Sequence, residues 1–240
     1  MLLNFDAKAL EWRIPVEFSR DPTAIEELRS GQDIHSLNQR VLELPDGPPG
    51  RLAAKVFLFR TIFRGSGWAY ARDNDFMHVS TDPDFWDERI KKFFEKYNEL
   101  NELHRRWIQE VHLTGKIEGP LGRFWTFEKR EKKGQLEYSI NDITNYPVQG
   151  TGNDLMAIAR VSLRNRLTKY NIPAIIVSTV HDSIVLDLEQ KYIKDVVEIT
   201  TKVFEDIPQN VKRLFKYEWI VPIPCEAKAG PNLMQMENIA

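Results

Sequence analysis

Two aspartates that border short apolar runs are the residues of this sequence best suited to hold metal ions. Asp6 ends the run 2–5, and Asp182 lies in the turn between the apolar runs 174–180 and 184–188. Two carboxylates at strand ends, far apart in sequence, are what a two-metal phosphoryl-transfer site needs. Each Asp alone is more often a turn former than a ligand, so the hypothesis depends on the pair.

A basic segment between the two aspartates has the spacing of a phosphate-binding helix. Arg51, Lys55 and Phe59 recur every four residues and therefore share one helix face, which Phe63 continues. Two cations followed by an aromatic ring match a triphosphate followed by a base. For this helix alone, the better interpretation is a solvated Arg/Lys edge over a core Phe. Only its combination with the aspartates favours the functional interpretation.

Composition is that of a soluble globular protein from a reducing compartment. The 240 residues are 42% hydrophobic and 28% charged, and a single cysteine, Cys225, excludes an internal disulfide. Without a membrane-span or signal-peptide pattern, we expect a cytoplasmic protein, in a bacterial host cell if it is phage-encoded. The net charge of −2 argues against general attraction to nucleic acid, but residues 51–72 carry five cations and no acid.

Periodicity and turn residues predict the elements that must position these groups. We expect helices over 22–30, 33–43, 51–63, 151–170 and 190–206, and one long helix or two over 84–112, whose aromatic stripe is core. We expect strands over 1–14 with a turn at Asp6, a hairpin over 121–140 with a solvated tip at 128–134, a hairpin around Asp182, and a last strand over 219–228. Residues 45–50 are expected to be a loop.

The segment 145–154 is expected to be a loop that leads into the helix over 151–170. Asn145 and Gln149 could bond a base or sugar edge, or the segment could simply cap the helix through Thr151 and Asp154. The remaining histidines show no zinc-ligand pattern.

Four segments together carry a resemblance to a known family: Asp6-x4-Glu11-x-Arg13, Arg51-x3-Lys55-x3-Phe59, Asn-Tyr-Pro-Val-Gln-Gly-Thr at 145–151, and Val-His-Asp at 180–182. Their order and separation resemble motifs A, B and C of the family A (polymerase I-like) DNA polymerases over nearly the whole chain. The resemblance implies an α+β fold: a palm with a small antiparallel sheet (1–20 and 116–240) and a helical fingers subdomain (21–115).

The resemblance also implies a role for each matching residue. Two Mg²⁺ ions, for which Mn²⁺ can substitute, would be bound by Asp6, Asp182 and the backbone carbonyl of Ala7. Lys55 would also act as general acid on the leaving pyrophosphate, and Glu11 would be the steric gate that rejects a ribose 2′-OH. The incoming dNTP would contact Glu11, His35, Arg51, Lys55, Phe59 and Phe63. Primer–template DNA would contact Arg13, Arg123, Asn145, Gln149 and His181.

Three positions depart from the family pattern. Phe63-Arg64 stands where the family usually has Tyr-Gly, and Ser183 stands where a Glu usually follows the motif C Asp. Asn141 stands where an Arg usually precedes the motif Gln by eight residues. These departures bear on fidelity and template contacts, whereas the aspartate pair is intact, so we expect activity.

Motif A begins at residue 6, so the thumb and exonuclease domains that precede it in the family are absent from this sequence. We therefore expect a split polymerase whose thumb, and possibly exonuclease, is supplied by a separate polypeptide. The rival interpretations are a truncated or minimal enzyme, a non-catalytic nucleic-acid-binding remnant, or another two-metal enzyme such as a nuclease. Nucleases usually cluster more acidic ligands, and no third carboxylate stands out in the sequence.

Overall fold

The computed structural model describes residues 1–132 and 134–239 and has the expected α+β fold, helices with a small antiparallel sheet. The strands are β1 (Leu2–Ala7), β2 (Lys116–Glu118), β3 (Phe124–Thr126), β4 (Arg130–Lys132), β5 (Gln135–Glu137), β6 (Ile175–Val180), β7 (Ser183–Asp187), β8 (Cys225–Gly230) and β9 (Glu237–Asn238). The helices are α1 (Leu10–Ser19), α2 (Pro22–Arg29), α3 (Ile34–Val41), α4 (Pro48–Thr61), α5 (Gly67–Tyr70), α6 (Pro83–Lys96), α7 (Asn98–Thr114), α8 (Ile140–Lys169), α9 (Ile193–Glu205) and α10 (Ile207–Phe215).

The main sheet has β1 at its centre. Its strand order is β6-β7-β1-β8-β9, and every neighbouring pair is antiparallel. Burial alternates along β1, with Leu3, Phe5 and Ala7 fully buried, so Asp6 points to the opposite face and is half-buried. The register places Asp6 directly opposite Ser183 on one side and Glu226 on the other.

The chain divides into two compact units. The sheet unit consists of residues 1–13, 120–122 and 149–239, and the helical unit consists of residues 14–119 and 123–148. These bounds differ from those expected for palm and fingers at residues 14–20, 116–119 and 123–148. Packing units need not coincide with functional subdomains, so the palm and fingers assignment stays a prediction.

In the helical unit, α4 is fixed by a cluster of aromatic rings. The Phe57 ring stacks on Tyr70 at 5.2 Å between centroids and lies 6.1 Å from Trp86 and 6.0 Å from Phe93. All four side chains are almost completely buried. The aromatic stripe predicted to be core is therefore core, and it holds α4 against α6, leaving the opposite face of α4 to solvent.

The predicted secondary structure was wrong in two segments, residues 10–14 and residues 145–150. Residues 10–14 form the start of α1 and not a strand, because Leu10 and Ile14 recur at helical spacing and are buried. The helix α8 starts at Ile140 and runs through Pro147, so the predicted loop over 145–150 is helical and Thr151 and Asp154 do not cap it.

The N-terminal signal of α8 lies earlier in the sequence than we expected. Residues 139–142 have the Ser-x-x-Asp pattern of a capping box, and the Ser139 hydroxyl accepts a hydrogen bond from the Asp142 amide at 3.2 Å. Ile143 and Val148, both buried, hold the helix in place on either side of Pro147. Tertiary packing thus outweighs the local preference of proline for a loop.

Other boundaries differ less. The expected hairpin over 121–140 is two short ribbons, β2 with β3 and β4 with β5; Lys133, in its predicted tip, lies outside the described residues. The segment 84–112 is two helices that break at the buried Tyr97, and α4 already starts at Pro48, within the predicted loop. Of the last predicted strand, 219–228, only residues 225–228 are strand, as the start of β8, and α10 was not predicted.

Candidate active site

The sheet brings the two predicted metal-binding aspartates together through the main chain. Asp6 is the last residue but one of β1, and Asp182 lies in the turn between β6 and β7. The Ala7 amide donates to the Asp182 carbonyl oxygen at 3.0 Å, so the residue that follows Asp6 is hydrogen-bonded to Asp182. In the turn, His181 adopts a left-handed φ of 51°, and the Ser183 hydroxyl donates to the Val180 carbonyl at 2.9 Å. Both carboxylates are half-buried, as expected for ligands that must remain accessible.

The donor set around this turn suits a hard divalent cation. Within residues 1–132 and 134–239, no group of three or more His, Cys, Asp or Glu side chains has metal-binding geometry. The predicted ligands, Asp6, Asp182 and the Ala7 carbonyl, are all oxygen donors and are few. Mg²⁺ accepts such a site, because it commonly binds one or two carboxylates together with water and substrate phosphates.

A further carboxylate, Glu226 on β8, lies directly opposite Asp6 and was missed in the sequence. Like charges directly opposite each other in an antiparallel pair are destabilising. Here Lys8 offsets the effect, because its Nζ lies 3.3 Å from Glu226 Oε1. The pairing joins residues far apart in the chain, and no local pattern around residue 226 indicates it.

The residues predicted to select the sugar and to line the DNA minor groove also meet in the sheet unit. The Gln149 side-chain amide on α8 donates to Glu11 Oε1 on α1 at 2.5 Å. Both side chains are half-buried. The hydrogen bond fixes the Glu11 carboxylate in one orientation, as a steric gate requires. Asn145 precedes Gln149 on α8 by four residues and is also half-buried.

Arg13 has a structural role in addition to its predicted contact with DNA. Its guanidinium is largely buried and donates to the carbonyl oxygens of Lys8 and Pro222, each at 2.7 Å. Burial lowers the pKa of Arg13 to about 10, so the group remains charged at neutral pH. It therefore holds the β1–α1 connection, which follows Asp6, against the segment that leads to β8.

In the helical unit, the predicted triphosphate-binding residues of α3 and α4 form one cluster. Arg51 and Lys55 are exposed on α4, and the half-buried Phe59 ring lies 6.1 Å from the His35 ring on α3. Arg51 Nε donates to Asp33 Oδ2 at 2.7 Å. Asp33 caps α3, since its other oxygen accepts from the His35 amide at 3.3 Å. The pairing of Arg51 with Asp33 was not predicted, because the two residues lie 18 positions apart, one capping α3 and the other on α4.

The charges of this cluster shift two pKa values in ways that matter for an anionic ligand. Burial acts to raise the pKa of Asp33, but hydrogen bonds from Arg51 and Ser36 outweigh it and hold that pKa well below its usual range. The pKa of His35 is lowered, mainly by burial and also by the charges of Arg51 and Lys55, although Asp33 opposes this. The lowered pKa favours the uncharged form of His35 in the absence of a ligand, and in that form one ring nitrogen can donate a hydrogen bond to a phosphate.

The remaining predicted residues lie at the ends of elements. Phe63 follows α4 and is half-buried; its carbonyl oxygen accepts from Asn141 Nδ2 at 2.6 Å. Arg123 precedes β3, and His181 lies in the β6–β7 turn; both are exposed. Exposure is compatible with DNA contact, which stays a prediction for both.

Comparison with known proteins links these sites to one family. The model of the family described as "DNA polymerase family A" matches residues 1–235. The chain is 27% identical over 233 residues to DNA polymerase I of Aquifex aeolicus, covering 89% of this chain and 38% of that protein. It is 23% identical to the DNA polymerase of Bacillus phage SP01, covering 97% of this chain and 26% of that protein.

A solved structure has the same fold. The polymerase domain of Pol1 from M. smegmatis, in complex with DNA primer-template and dNTP, superposes with a TM-score of 0.79 at 17% identity. The match covers 95% of this chain and 39% of that one. The chain thus spans well under half the length of these relatives. The described residues contain no helix that is long and apolar enough to cross a membrane.

Proposed function

The chain belongs to DNA polymerase family A, and from that premise we propose that it catalyses template-directed transfer of dNTPs to a primer 3′-OH by a two-metal mechanism. The observation that supports the proposal is the pairing of β1 with β7, in which Asp6 lies opposite Ser183 and the Ala7 amide donates to the Asp182 carbonyl. Family membership supports dependence on divalent metal in general. The assignment of individual ligands is our proposal.

In the proposed reaction, Asp6, Asp182 and the Ala7 carbonyl would hold two Mg²⁺ ions. When bound, the ions would promote loss of the proton from the primer hydroxyl and neutralise charge on the leaving pyrophosphate. The two aspartates lie on main-chain segments that the sheet holds rigidly relative to each other. Because β1 and β7 are hydrogen-bonded along their length, the carboxylates need little reorganisation to receive the ions.

The helical unit would bind the nucleotide. Arg51 and Lys55 would contact the phosphates, and Lys55 would protonate the leaving pyrophosphate. Phe59 would stack on the nucleotide, Phe63 would contact it beyond the end of α4, and neutral His35 would donate to a phosphate oxygen. These roles are supported by the common face of α4 and by the contact between the His35 and Phe59 rings.

Sugar selection and DNA contacts are assigned to the remaining matched residues. Glu11, held by Gln149, would occupy the space that the 2′-OH of a ribonucleotide needs. That 2′-OH would then collide with Glu11 and lack a hydrogen-bond partner. The DNA would be contacted by Arg13, Arg123, Asn145, Gln149 and His181. Contacts in the minor groove would not distinguish A·T from T·A pairs, because both present the same acceptors there.

The proposal is tested by primer extension with Mg²⁺, supplemented with any polypeptide that activity requires. Asp182→Ala should reduce nucleotide incorporation by several orders of magnitude and leave DNA binding largely intact. Asp195→Ala is the matched control, because Asp195 is an exposed carboxylate of the same unit, on α9. Near-normal extension by Asp182→Ala would refute the metal assignment. Metal-dependent degradation without extension would favour a nuclease, and DNA binding without either would favour a non-catalytic remnant.

We further propose that a separate polypeptide supplies the thumb, and possibly an exonuclease. The supporting observations are that the chain covers only 38% and 26% of two curated relatives, and that the outer strand of the main sheet, β6, is an exposed edge. Ile175, Val177 and Val180 on that strand are more than half exposed, with no charge among them. Such edges are usually paired or covered.

The test of this second proposal compares extension at physiological salt by the 240-residue chain alone and with a candidate partner polypeptide. We expect weak, distributive synthesis alone, because thumb contacts to phosphates are the main source of DNA affinity. Processive synthesis by the chain alone would refute the need for a partner.

A further inference from the structure

The C-terminal end of α4 has an arginine where a glycine would be the least strained residue. Arg64 has a φ of +60°, and the Gly65 amide donates to the Arg60 carbonyl at 2.9 Å, which closes the helix with a left-handed residue. Helices that end in this way usually have Gly at that position, because any Cβ is strained there. An Arg at this position therefore needs compensation from its side chain.

The Arg64 side chain makes that compensation by binding α7. Its Nε donates to His104 Nδ1 at 2.9 Å, and its Nη2 donates to Asn101 Oδ1 at 2.8 Å. The guanidinium carbon also lies 4.4 Å from the centre of the Phe94 ring on α6. Among the described residues, no carboxylate lies within ion-pair distance of Arg64, so the group is held by hydrogen bonds and ring stacking.

The acceptor for Arg64 is kept uncharged by its surroundings. His104 is completely buried, and burial, assisted by the charge of Arg64, lowers its pKa to about 3. The ring is therefore neutral at any pH used for enzyme assays, and Nδ1 is free of a proton and can accept. The contact does not depend on pH in that range.

A second contact fixes the same helix end from α8. Asn141 Nδ2 donates to the Phe63 carbonyl at 2.6 Å and lies 3.4 Å from that of Arg64. Positions 64 and 141 are two of the three departures from the motif pattern described above. The structure brings both departures to one point, the end of the helix that carries Arg51, Lys55 and Phe59.

We propose that Arg64 is a positioning residue that fixes the end of α4 against α7 and thereby sets the position of the nucleotide-binding face. The inference rests on the proposed function for the meaning of that face. The N-terminal end of α4 is independently fixed, because Gly50 packs against the Pro45 backbone so closely that no Cβ fits. The aromatic cluster around Phe57 holds the middle of α4, so loss of the C-terminal anchor would loosen the last turn of the helix and move Phe59 more than Arg51.

The test uses Arg64→Gly, which removes the guanidinium and accommodates the left-handed backbone without strain. Lys216→Gly is the matched control: Lys216 has a φ of +61° at the end of α10, is exposed, and its side chain donates locally to the Arg213 carbonyl. Hydrogen exchange of the α4 amides and steady-state kinetics for dNTP incorporation are measured on both variants and on the wild type.

Arg64→Gly should speed amide exchange over residues 58–64 about tenfold or more and raise the KM for dNTP about fivefold to tenfold, with a smaller change in kcat. Lys216→Gly should change neither. Asn101→Ala should reproduce part of the effect and add nothing when combined with Arg64→Gly, since both remove the same contact. The KM of Arg64→Lys should lie between that of Arg64→Gly and that of the wild type, because an ammonium cannot donate to both acceptors in the same fork geometry.

Unchanged exchange in α4 for Arg64→Gly would overturn the anchoring role, and increased exchange with an unchanged KM would overturn its effect on nucleotide binding. Absence of dNTP incorporation by the wild type would count against the proposed function instead. In that case the exchange data would still decide whether Arg64 holds the end of α4.

Discussion

Replacing Asp33 by asparagine should strengthen nucleotide binding. Arg51, predicted to bind the triphosphate, is paired with Asp33 at 2.7 Å, so a phosphate must compete with this carboxylate. Asn keeps the capping oxygen that accepts from the His35 amide, and Asn is as good an N-cap as Asp. The substitution therefore removes the competing charge and leaves α3 intact.

The size of the effect follows from the exposure of the pair. The side chains of Arg51 and Asp33 are 48% and 40% exposed, so the strong shift in the pKa of Asp33 cannot be converted directly into binding energy. Exposed ion pairs contribute about 0.2–1 kcal/mol, which corresponds to a decrease of about 1.4-fold to 5-fold in the KM for dNTP. The gain should shrink as salt is raised, because screening weakens the pair.

The assay is single-nucleotide incorporation at saturating primer-template, with KM measured at low and physiological salt. Asp46→Asn is the control: Asp46 is exposed in the turn before α4, and its replacement removes the same charge without touching Arg51. A rise in KM for Asp33→Asn would refute the reasoning, since it would mean that Asp33 orients Arg51 for the phosphate. If Asp33→Asn and Asp46→Asn lower the KM equally, the effect comes from net charge and not from the Arg51–Asp33 pair. Because the pKa of Asp33 is held low, the result should not vary between about pH 6 and pH 8.

Three further substitutions test other parts of the site. Glu11→Ala should raise ribonucleotide incorporation more than it changes deoxynucleotide use, and an unchanged ratio would place the gate elsewhere. Lys55→Ala should lower kcat about 10²-fold to 10³-fold through loss of charge stabilisation in the transition state, and normal kinetics would favour a merely solvated Lys. Gly50→Ala should destabilise the fold by about 1–3 kcal/mol, because its Cβ would lie 1.7 Å from the Pro45 carbonyl oxygen. A thermal unfolding midpoint equal to or above that of the wild type would show instead that the helix propensity of Ala outweighs the clash.

The elements with strong local signals could be predicted from the sequence. The helix α4 and the hairpin around Asp182 follow from periodicity and from two apolar runs, and both lie close to their expected bounds. The start of α8 could not be predicted in this way, because Pro147 is a strong local signal for a loop and only buried contacts on either side of it overrule that signal.

The partners of the candidate site residues were less predictable than the residues themselves. Asp6 and Asp182 were identified by their position at strand ends, and the structure places them side by side. The pairing of Asp33 with Arg51 and that of Glu226 with Asp6 were missed, because each joins residues through tertiary contacts that local spacing does not indicate. Side-chain type and local spacing thus indicated the chemistry, whereas the groups that tune it depend on register and helix packing.

The place of β1 in the sheet determines when the site can form during synthesis. Phe5 pairs with Ile184 and with Ala227, so the strand has no partner until Ile184 has been made and lacks its second partner until Ala227 has been made. At translation rates of roughly 5–20 residues per second, β1 would wait roughly 10–45 s with its apolar side chains unpaired. Pairing over such sequence separations is also intrinsically slow. The carboxylate pair is therefore among the last features to assemble, whereas helices such as α6 and α7 can form locally long before it.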